Sequence, residues 1–443
     1  MATEPNSAIG RGRTRPTPLA TPSDPIGRQR WARLIPVVFI TYSLAYLDRS
    51  NYAIGAAGGM SHDLHLTSAT SGLIGASFFL GYFLFQVPGV LYAETRSVRS
   101  LIFWSVLAWG VLASTQGLLD SVDALIAVRF VLGVVEAAVL PALVLLVARW
   151  FTSAERGRAN ALLILGNPIT VLWMSALSGY LVQFTSWRGM FLIEGLPAVA
   201  WAFVFRWQVA DRPEESRWLV PDERDRLRTA LAGEHGASTG RSSSLGEYLG
   251  ALRSPRVALL SAQYLLWSIG VYGFVFWLPS IVKAGAGSGI GAVGLLTAVP
   301  YVFAVAAMIL NSRFSDRLIR RPVFVWPWLV LGAATFYGSY LAGPHRFWLS
   351  FVLLIVAALA MYAPYGPFFA MLSEMMSPRT TGVAVAVVNA FGALGGFVGT
   401  YLVGWLNGLT GTMAASFLMM GIALAAAAVL TVVATARWKR SNV

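Results

Sequence analysis

Apolar stretches of about 18 residues or more recur along the whole of this chain, separated by short polar links. Each is long enough, as a helix, to cross a hydrocarbon core about 30 Å thick. A helix is the default span because lipid satisfies no bare backbone N–H or C=O. Of 443 residues, 56% are hydrophobic and only 12% are charged. An average soluble domain carries about 25% charged residues, so a globular enzyme of this length is excluded. The pattern predicts an all-α membrane protein with twelve transmembrane helices, roughly at 33–56, 68–91, 99–119, 122–147, 159–183 and 189–209, then 257–281, 290–312, 322–342, 347–373, 380–406 and 412–436. Residues 1–30 read as a disordered basic tail, 31–209 as one six-helix bundle, 210–255 as a central polar loop, 256–437 as a second bundle, and 438–443 as a short tail. The first apolar run is full membrane length, so it does not read as a signal peptide.

Charge gives the orientation. With those spans, and with Arg33 and Arg99 at the first positions of theirs counted as cytoplasmic ends, 27 of the 33 Lys and Arg fall in the tails and at the even-numbered connections, against three on the other side, Arg188, Lys283 and Arg346. Arg49, Arg129 and Arg206 fall inside spans. The positive-inside rule then puts both termini in the cytoplasm. The same split accounts for the net charge of +13 without any nucleic-acid partner.

Several chemistries have no residues to carry them. There is no cysteine. His62, His65, His235 and His345 read as loop residues without metal-ligand spacing. No Gly-x-x-x-x-Gly-Lys-Ser/Thr is present, so no ATP-driven step is expected on this chain. No Ser-His-Asp set appears either. The expectation is a non-enzyme with no cofactor.

The two halves echo each other weakly. Pro88-Gly89 with Glu94 and Arg99 after span 2 answers Asp316-Arg317 with Arg320-Arg321 after span 8. Spans 5 and 11 are Gly-rich and carry one Asn each, Asn167 and Asn389. Duplicated halves with a site between them are a transporter architecture. Here the chain resembles the major facilitator superfamily, and within it the anion:cation symporter family. The resemblance rests on Tyr46-Leu47-Asp48-Arg49-Ser50-Asn51, on Arg129-x-x-x-Gly133-x-x-Glu136 with Pro141, and on Trp150-Phe151 through Glu155-Arg156-Gly157-Arg158. It extends to Trp187-Arg188, Pro364, Pro367, and Asn389 with Gly392, Gly395 and Gly396. It covers about 31–437 and implies a gating role for Glu94, Arg99, Asp316 and Arg317. That first gating loop departs from the family pattern, with Ser97 where Gly is usual.

An ionisable group at mid-membrane costs roughly 3 kcal/mol or more and is paired, water-facing or functional. The deep ones are Asp48, Arg49, Arg129, Glu136 and Glu194. At 1.5 Å per residue, Asp48 lies about 22 Å and Arg129 about 20 Å from the cytoplasmic end, so the two are level. Glu136 is two turns beyond Arg129 on one face of span 4, with small Gly133 leaving that face open. Arginine suits a carboxylate because its planar fork donates two parallel hydrogen bonds. Arg49 and Arg129 are therefore the expected substrate-carboxylate ligands, and Asp48, expected to pair with Arg129, and Glu136 the expected proton carriers. Glu194, near the outer end of span 6, reads as a brace. Tyr46, Tyr82, Asn167, Gln263 and Asn389 are polar groups able to read a polyhydroxy substrate; resembling sugar-acid carriers use matching positions. Each could equally bond one helix to another.

The resulting expectation is a monomeric multi-pass carrier in a bacterial inner membrane. It would couple a small organic anion, a hexonate or hexuronate first, to protons, with sodium the alternative ion. An aromatic or dicarboxylic acid is the alternative substrate, and a metabolite receptor the alternative class. Reporter fusions after Arg30, His235 and Arg440 should all report cytoplasm; a periplasmic signal at His235 would break the six-plus-six topology.

Overall fold

The structure, a computed structural model, describes residues 25–235, 244–318, 321–342, 346–376 and 380–441. The tail up to residue 24, Arg320 and His345 lie outside the described residues. Among the described residues there is no strand. The main helices are α1 (Pro25–Gly55), α2 (Ser68–Thr95), α3 (Val98–Thr115), α4 (Val122–Trp150), α5 (Ser153–Phe184) and α6 (Trp187–Gln208). Two short ones follow, α7 (Pro221–His235) and α8 (Leu245–Leu252). The rest are α9 (Pro255–Ala286), α10 (Ile290–Leu318), α11 (Trp326–Ala342), α12 (Phe347–Met375), α13 (Thr381–Thr410) and α14 (Ala414–Ser441). Ten of these, α2 to α6, α9, α10 and α12 to α14, are long and apolar enough to cross a membrane. The other two long helices fall short of that measure. α1 carries Arg33, Asp48 and Arg49, and α11 has 17 residues.

Short side chains set many of the helix starts. Thr67, Ser97, Ser121, Ser186 and Ser244 each accept a backbone N–H from three residues on, satisfying donors that a helix start leaves unpaired. Glu155 accepts from the Thr152 N–H at 3.2 Å. α9 and α13 stop at Gly287 and Gly411, both in the left-handed region, where a Cβ is unfavourable.

Two expectations about the polar segments are corrected. The basic tail was expected to run to residue 30, yet α1 begins at Pro25. Proline is preorganised for a first helical turn, and Arg30 holds that turn down. It donates to the Trp150 carbonyl at 3.0 Å and to Glu155 at 2.7 Å, and Trp31 Nε1 reaches Glu155 at 3.2 Å. The central stretch is also more ordered than a loop, since α7 and α8 form within it. α8 starts at a reciprocal cap between Ser244 and Glu247.

α2 lies along α13 and α5 along α10, and these two pairings join the first six long helices to the last six. Both have a close backbone approach at the face where α1 ends, called here the far face. A Cβ on Gly72 would sit 3.0 Å from the Thr400 carbonyl and 3.3 Å from the Gly404 Cα. One on Gly294 would sit 2.3 Å from the Ser175 carbonyl and 3.0 Å from the Gly179 Cα. On the same face Lys283 at the end of α9 donates to the Ala57 carbonyl beyond α1. The far face is therefore closed by backbone-to-backbone packing that only glycine permits.

Gly294→Val should wedge α5 from α10 and loosen that closure. The natural absence of cysteine allows a direct reading: Ser71→Cys, buried in this state, should react faster with a thiol reagent in the Gly294→Val background. Equal labelling rates would show that the glycine contacts do not hold the face shut.

Candidate functional site

The site lies where α1, α2 and α4 meet. α2 and α4 touch through their backbones: a Cβ on Gly133 would lie 1.9 Å from the Phe78 carbonyl, and one on Gly81 would lie 2.2 Å from the Phe130 carbonyl. Gly133 was expected to leave a face of α4 open. Instead the backbone of α2 fills that space, and this draws Phe78 and Tyr82 under the basic side chains. α4 is interrupted just after Glu136, at Ala137–Ala138, and restarts at Val139. Pro141 has no N–H to give the Ala137 carbonyl. α12 is interrupted in the same way, between Tyr362 and Tyr365. There the freed Ala363 carbonyl accepts from Asn311 at 2.8 Å.

The expected deep charges do come together, but their pairing differs from the one read in the sequence. Arg129 and Asp48 are level, as expected. Yet Arg129 Nη1 donates to the backbone carbonyl of Asp48 at 3.0 Å, and Nη2 reaches that of Arg49 at 3.5 Å. A carbonyl has two lone pairs, so it can accept this bond and a helical one together. The expected Asp48–Arg129 side-chain pair is not formed, and both Asp48 carboxylate oxygens are buried without a hydrogen-bond partner. The formed pair is Arg49 with Glu136, at 3.4 Å. Arg49 also stands over three rings, with 5.2 Å to Tyr46, 5.1 Å to Phe78 and 4.8 Å to Tyr82. Arg129 stands over Tyr52 at 5.0 Å and Phe78 at 5.4 Å. Ring faces of this kind stabilise a desolvated cation.

A cavity opens beside this cluster, lined by Tyr46, Arg49, Ser50, Phe79, Tyr272, Val275 and Phe276. It lies between α1 and α2 on one side and α9 on the other. Arg49 and Tyr46 line it, whereas Arg129 sits behind them and grips the α1 backbone. The other polar candidates scatter. Asn167 is buried on α5, and its Oδ1 has no partner. Gln263 donates to Thr431 of α14 at 2.6 Å, which makes it a bond between helices. Asn389 is half-buried on α13, one turn from Gly392, against which Tyr264 packs.

The expected gating residues lie at the opposite, near face. Arg99 Nε donates to the Arg206 carbonyl at 2.8 Å, and its backbone N–H donates to Asp211 at 2.9 Å. Asp211, which the sequence reading passed over, also accepts from Ser97 at 2.5 Å and pairs with Arg149 at 3.6 Å. In the second half Asp316 pairs with Arg321 at 2.5 Å, and Arg321 with Glu374 at 3.0 Å. Arg317 is exposed, and Glu94 is half-buried at the end of α2. Both halves thus carry an acid-and-base network at matching places, and in the second half the base that pairs is Arg321.

A model of the Major Facilitator Superfamily matches residues 38–293 and 285–442. The chain belongs to the major facilitator superfamily. It is a membrane transporter by family and not an enzyme. A "Putative tartrate transporter" of Agrobacterium vitis is 32% identical over 90% of this chain and 92% of its own length. A "Quinolone resistance transporter" of Acinetobacter baumannii is 30% identical over 93% and 95%. A "D-galactonate transporter" of Escherichia coli is 23% identical over 86% and 90%. The fold is also that of a solved bacterial homologue of the human lysosomal transporter Spinster, with a TM-score of 0.71 and 16% identity over 95% of this chain and 97% of that one.

The Arg49–Glu136 pair is testable as a pair. Removing one partner of a buried ion pair strands the other charge, at a cost of about 3–5 kcal/mol. Glu136→Ala should lower thermal stability in detergent by that order, and a combined Arg49→Met, Glu136→Met variant should recover most of it. A double variant as unstable as the single one would show that the stranded charge is not the cause.

Proposed function

We propose that this chain is a proton-coupled symporter for a small organic anion, working by alternating access between two six-helix bundles. Its twelve transmembrane helices would run from a cytoplasmic N-terminus to a cytoplasmic C-terminus. It would act as a monomer in a bacterial inner membrane. The observation that carries this reading is the Arg49–Glu136 pair, whose arginine lines a cavity between α1 and α9. A guanidinium lining a cavity suits a carboxylate through its planar fork, and its own carboxylate partner would compete for it.

In this reading a proton taken up by Glu136 releases Arg49 to the substrate carboxylate. Loss of that proton on the cytoplasmic side returns Arg49 to Glu136 and expels the anion. Arg129 positions Arg49 by holding the two consecutive carbonyls of α1. Tyr46 contributes a buried hydroxyl without a partner, suited to a substrate hydroxyl. The relatives named for tartrate and D-galactonate support a hydroxylated organic acid, with a hexonate or hexuronate favoured. The rings of Phe79, Tyr272 and Phe276 on the same cavity, with the relative named for quinolone resistance, favour a second reading. In that reading the substrate is an aromatic acid.

Uptake in proteoliposomes distinguishes these steps. Arg49→Ala should abolish organic-anion binding and uptake. Glu136→Gln should abolish accumulation driven by an imposed pH gradient while keeping exchange of labelled for unlabelled substrate, because exchange never requires return of the empty carrier. Wild-type uptake that follows a sodium gradient and ignores pH would overturn proton coupling. Full uptake by Arg49→Ala would overturn the anion site.

A further inference from the structure

Besides Asp48, one further carboxylate buried among the helices has no place in the cycle above. Glu194, for which bracing or snorkelling was expected, is 3% exposed and meets no cation. Ser178 of α5 donates to its Oε1, and Asn51 of α1 donates to its Oε2 at 3.0 Å. Among the described residues no Lys, Arg or His pairs with it. Arg188, the nearest base along α6, is engaged with Asp120 and with the Gly117 and Leu119 carbonyls. α3, which also packs on α6, offers Ser114 and Gln116, and both donate to carbonyls of α3 itself. From α1 the titratable group near Glu194 is Asp48, one turn from Asn51. Asp48 lies within electrostatic reach of both Glu194 and Glu136.

We propose that Glu194 is a further proton-binding site of this carrier, whose state is passed to α1 by the side-chain amide of Asn51. This rests on the proton-coupled reading above. The geometry serves both states of the carboxyl. Ionised, it accepts from Ser178 and Asn51. Protonated at Oε2, it needs an acceptor where Asn51 Nδ2 now stands. The Asn51 Oδ1 is buried without a partner, and turning the amide over delivers that oxygen to the new O–H. An amide carries a donor and an acceptor on one planar group, so a single rotation matches either state. A brace would need no such reserve, since a hydroxyl and an amide donor already satisfy a fixed carboxylate.

Position gives the site its role. Glu194 is seven residues into α6, about 10 Å below the far face, and α6 begins at Trp187, whose Nε1 bonds to Asp63 at 2.8 Å. Asp48 lies one turn of α1 further in, with Glu136 beyond it. A proton entering from the far face therefore meets Glu194 first. It travels among α1, α5 and α6, away from the cavity wall on α9. The amide turnover then changes the hydrogen bonding of α1 three residues from Asp48 and two from Arg49.

Infrared difference spectroscopy on reconstituted protein, stepped between acid and alkaline pH, reads the carboxyl directly. The wild type should show a titrating carbonyl-stretch band of a neutral carboxylic acid. That band should disappear in Glu194→Gln and return, shifted, in Glu194→Asp. Asn51→Leu, which keeps the carboxyl, should shift its frequency, so the proposal stays testable should Glu194→Gln fold poorly. Substrate counterflow in Glu194→Gln should lose part of its pH dependence. An unchanged band together with an unchanged pH profile in Glu194→Gln would overturn the proposal. Sodium-driven, pH-indifferent uptake by the wild type would overturn the coupling reading instead, and the infrared band would still show whether Glu194 takes a proton.

Discussion

A charged side chain in hydrocarbon has no water to turn to, and the interior of this protein is arranged around the partners its few buried charges find. Arg49 leans on Glu136 and on three aromatic faces. Arg129 spends its fork on two carbonyls of α1. These bonds need α1, α2 and α4 in near contact, and Gly81 and Gly133 make that contact possible by removing the side chains between the α2 and α4 backbones. The glycines, the broken helix after Glu136 and the ring faces are parts of one solution to desolvated charge.

The arrangement divides labour between two arginines that look equivalent in sequence. Arg49 is on the cavity wall and pairs there with the Glu136 carboxylate. Arg129 is behind it, tied to backbone, and its loss would free the segment that carries Asp48 and Arg49. At the far face the two halves close by glycine-to-backbone packing, and at the near face each half carries its own acid-and-base network. The two faces are thus held by different kinds of contact, backbone packing at one and side-chain ion pairs at the other.

Much of the fold was legible because the bilayer imposes a simple rule on sequence. Long apolar runs, their polar links and the asymmetry of Arg and Lys gave the helices and a predicted orientation. Thr67, Ser97, Ser121 and Ser186 cap the starts of α2, α3, α4 and α6, a signal that apolar runs alone do not carry. Pro25 was less legible, since the turn it opens is stabilised by Arg30 reaching Glu155, a residue 125 positions away. The helices α7 and α8 were hidden by their polarity, because a short surface helix has no apolar run to announce it.

The sequence by itself determined that this chain is helical, spans a membrane and carries five deep ionisable groups on three helices, because depth along a helix follows from counting residues. It also determined that Asp48 and Arg129 share a level. Only the tertiary structure decided who pairs with whom. Pairing depends on the rotation of α1 against α4 and on the approach of α2, and neither is written in residue spacing. Hence Arg49, not Arg129, holds the acid, Gln263 serves Thr431, Arg321 pairs with Asp316 and Glu374, and Glu194 is a buried carboxyl between two neutral donors. Each of these contacts joins residues from different helices, and helix-to-helix rotation is set by the packing of the whole bundle.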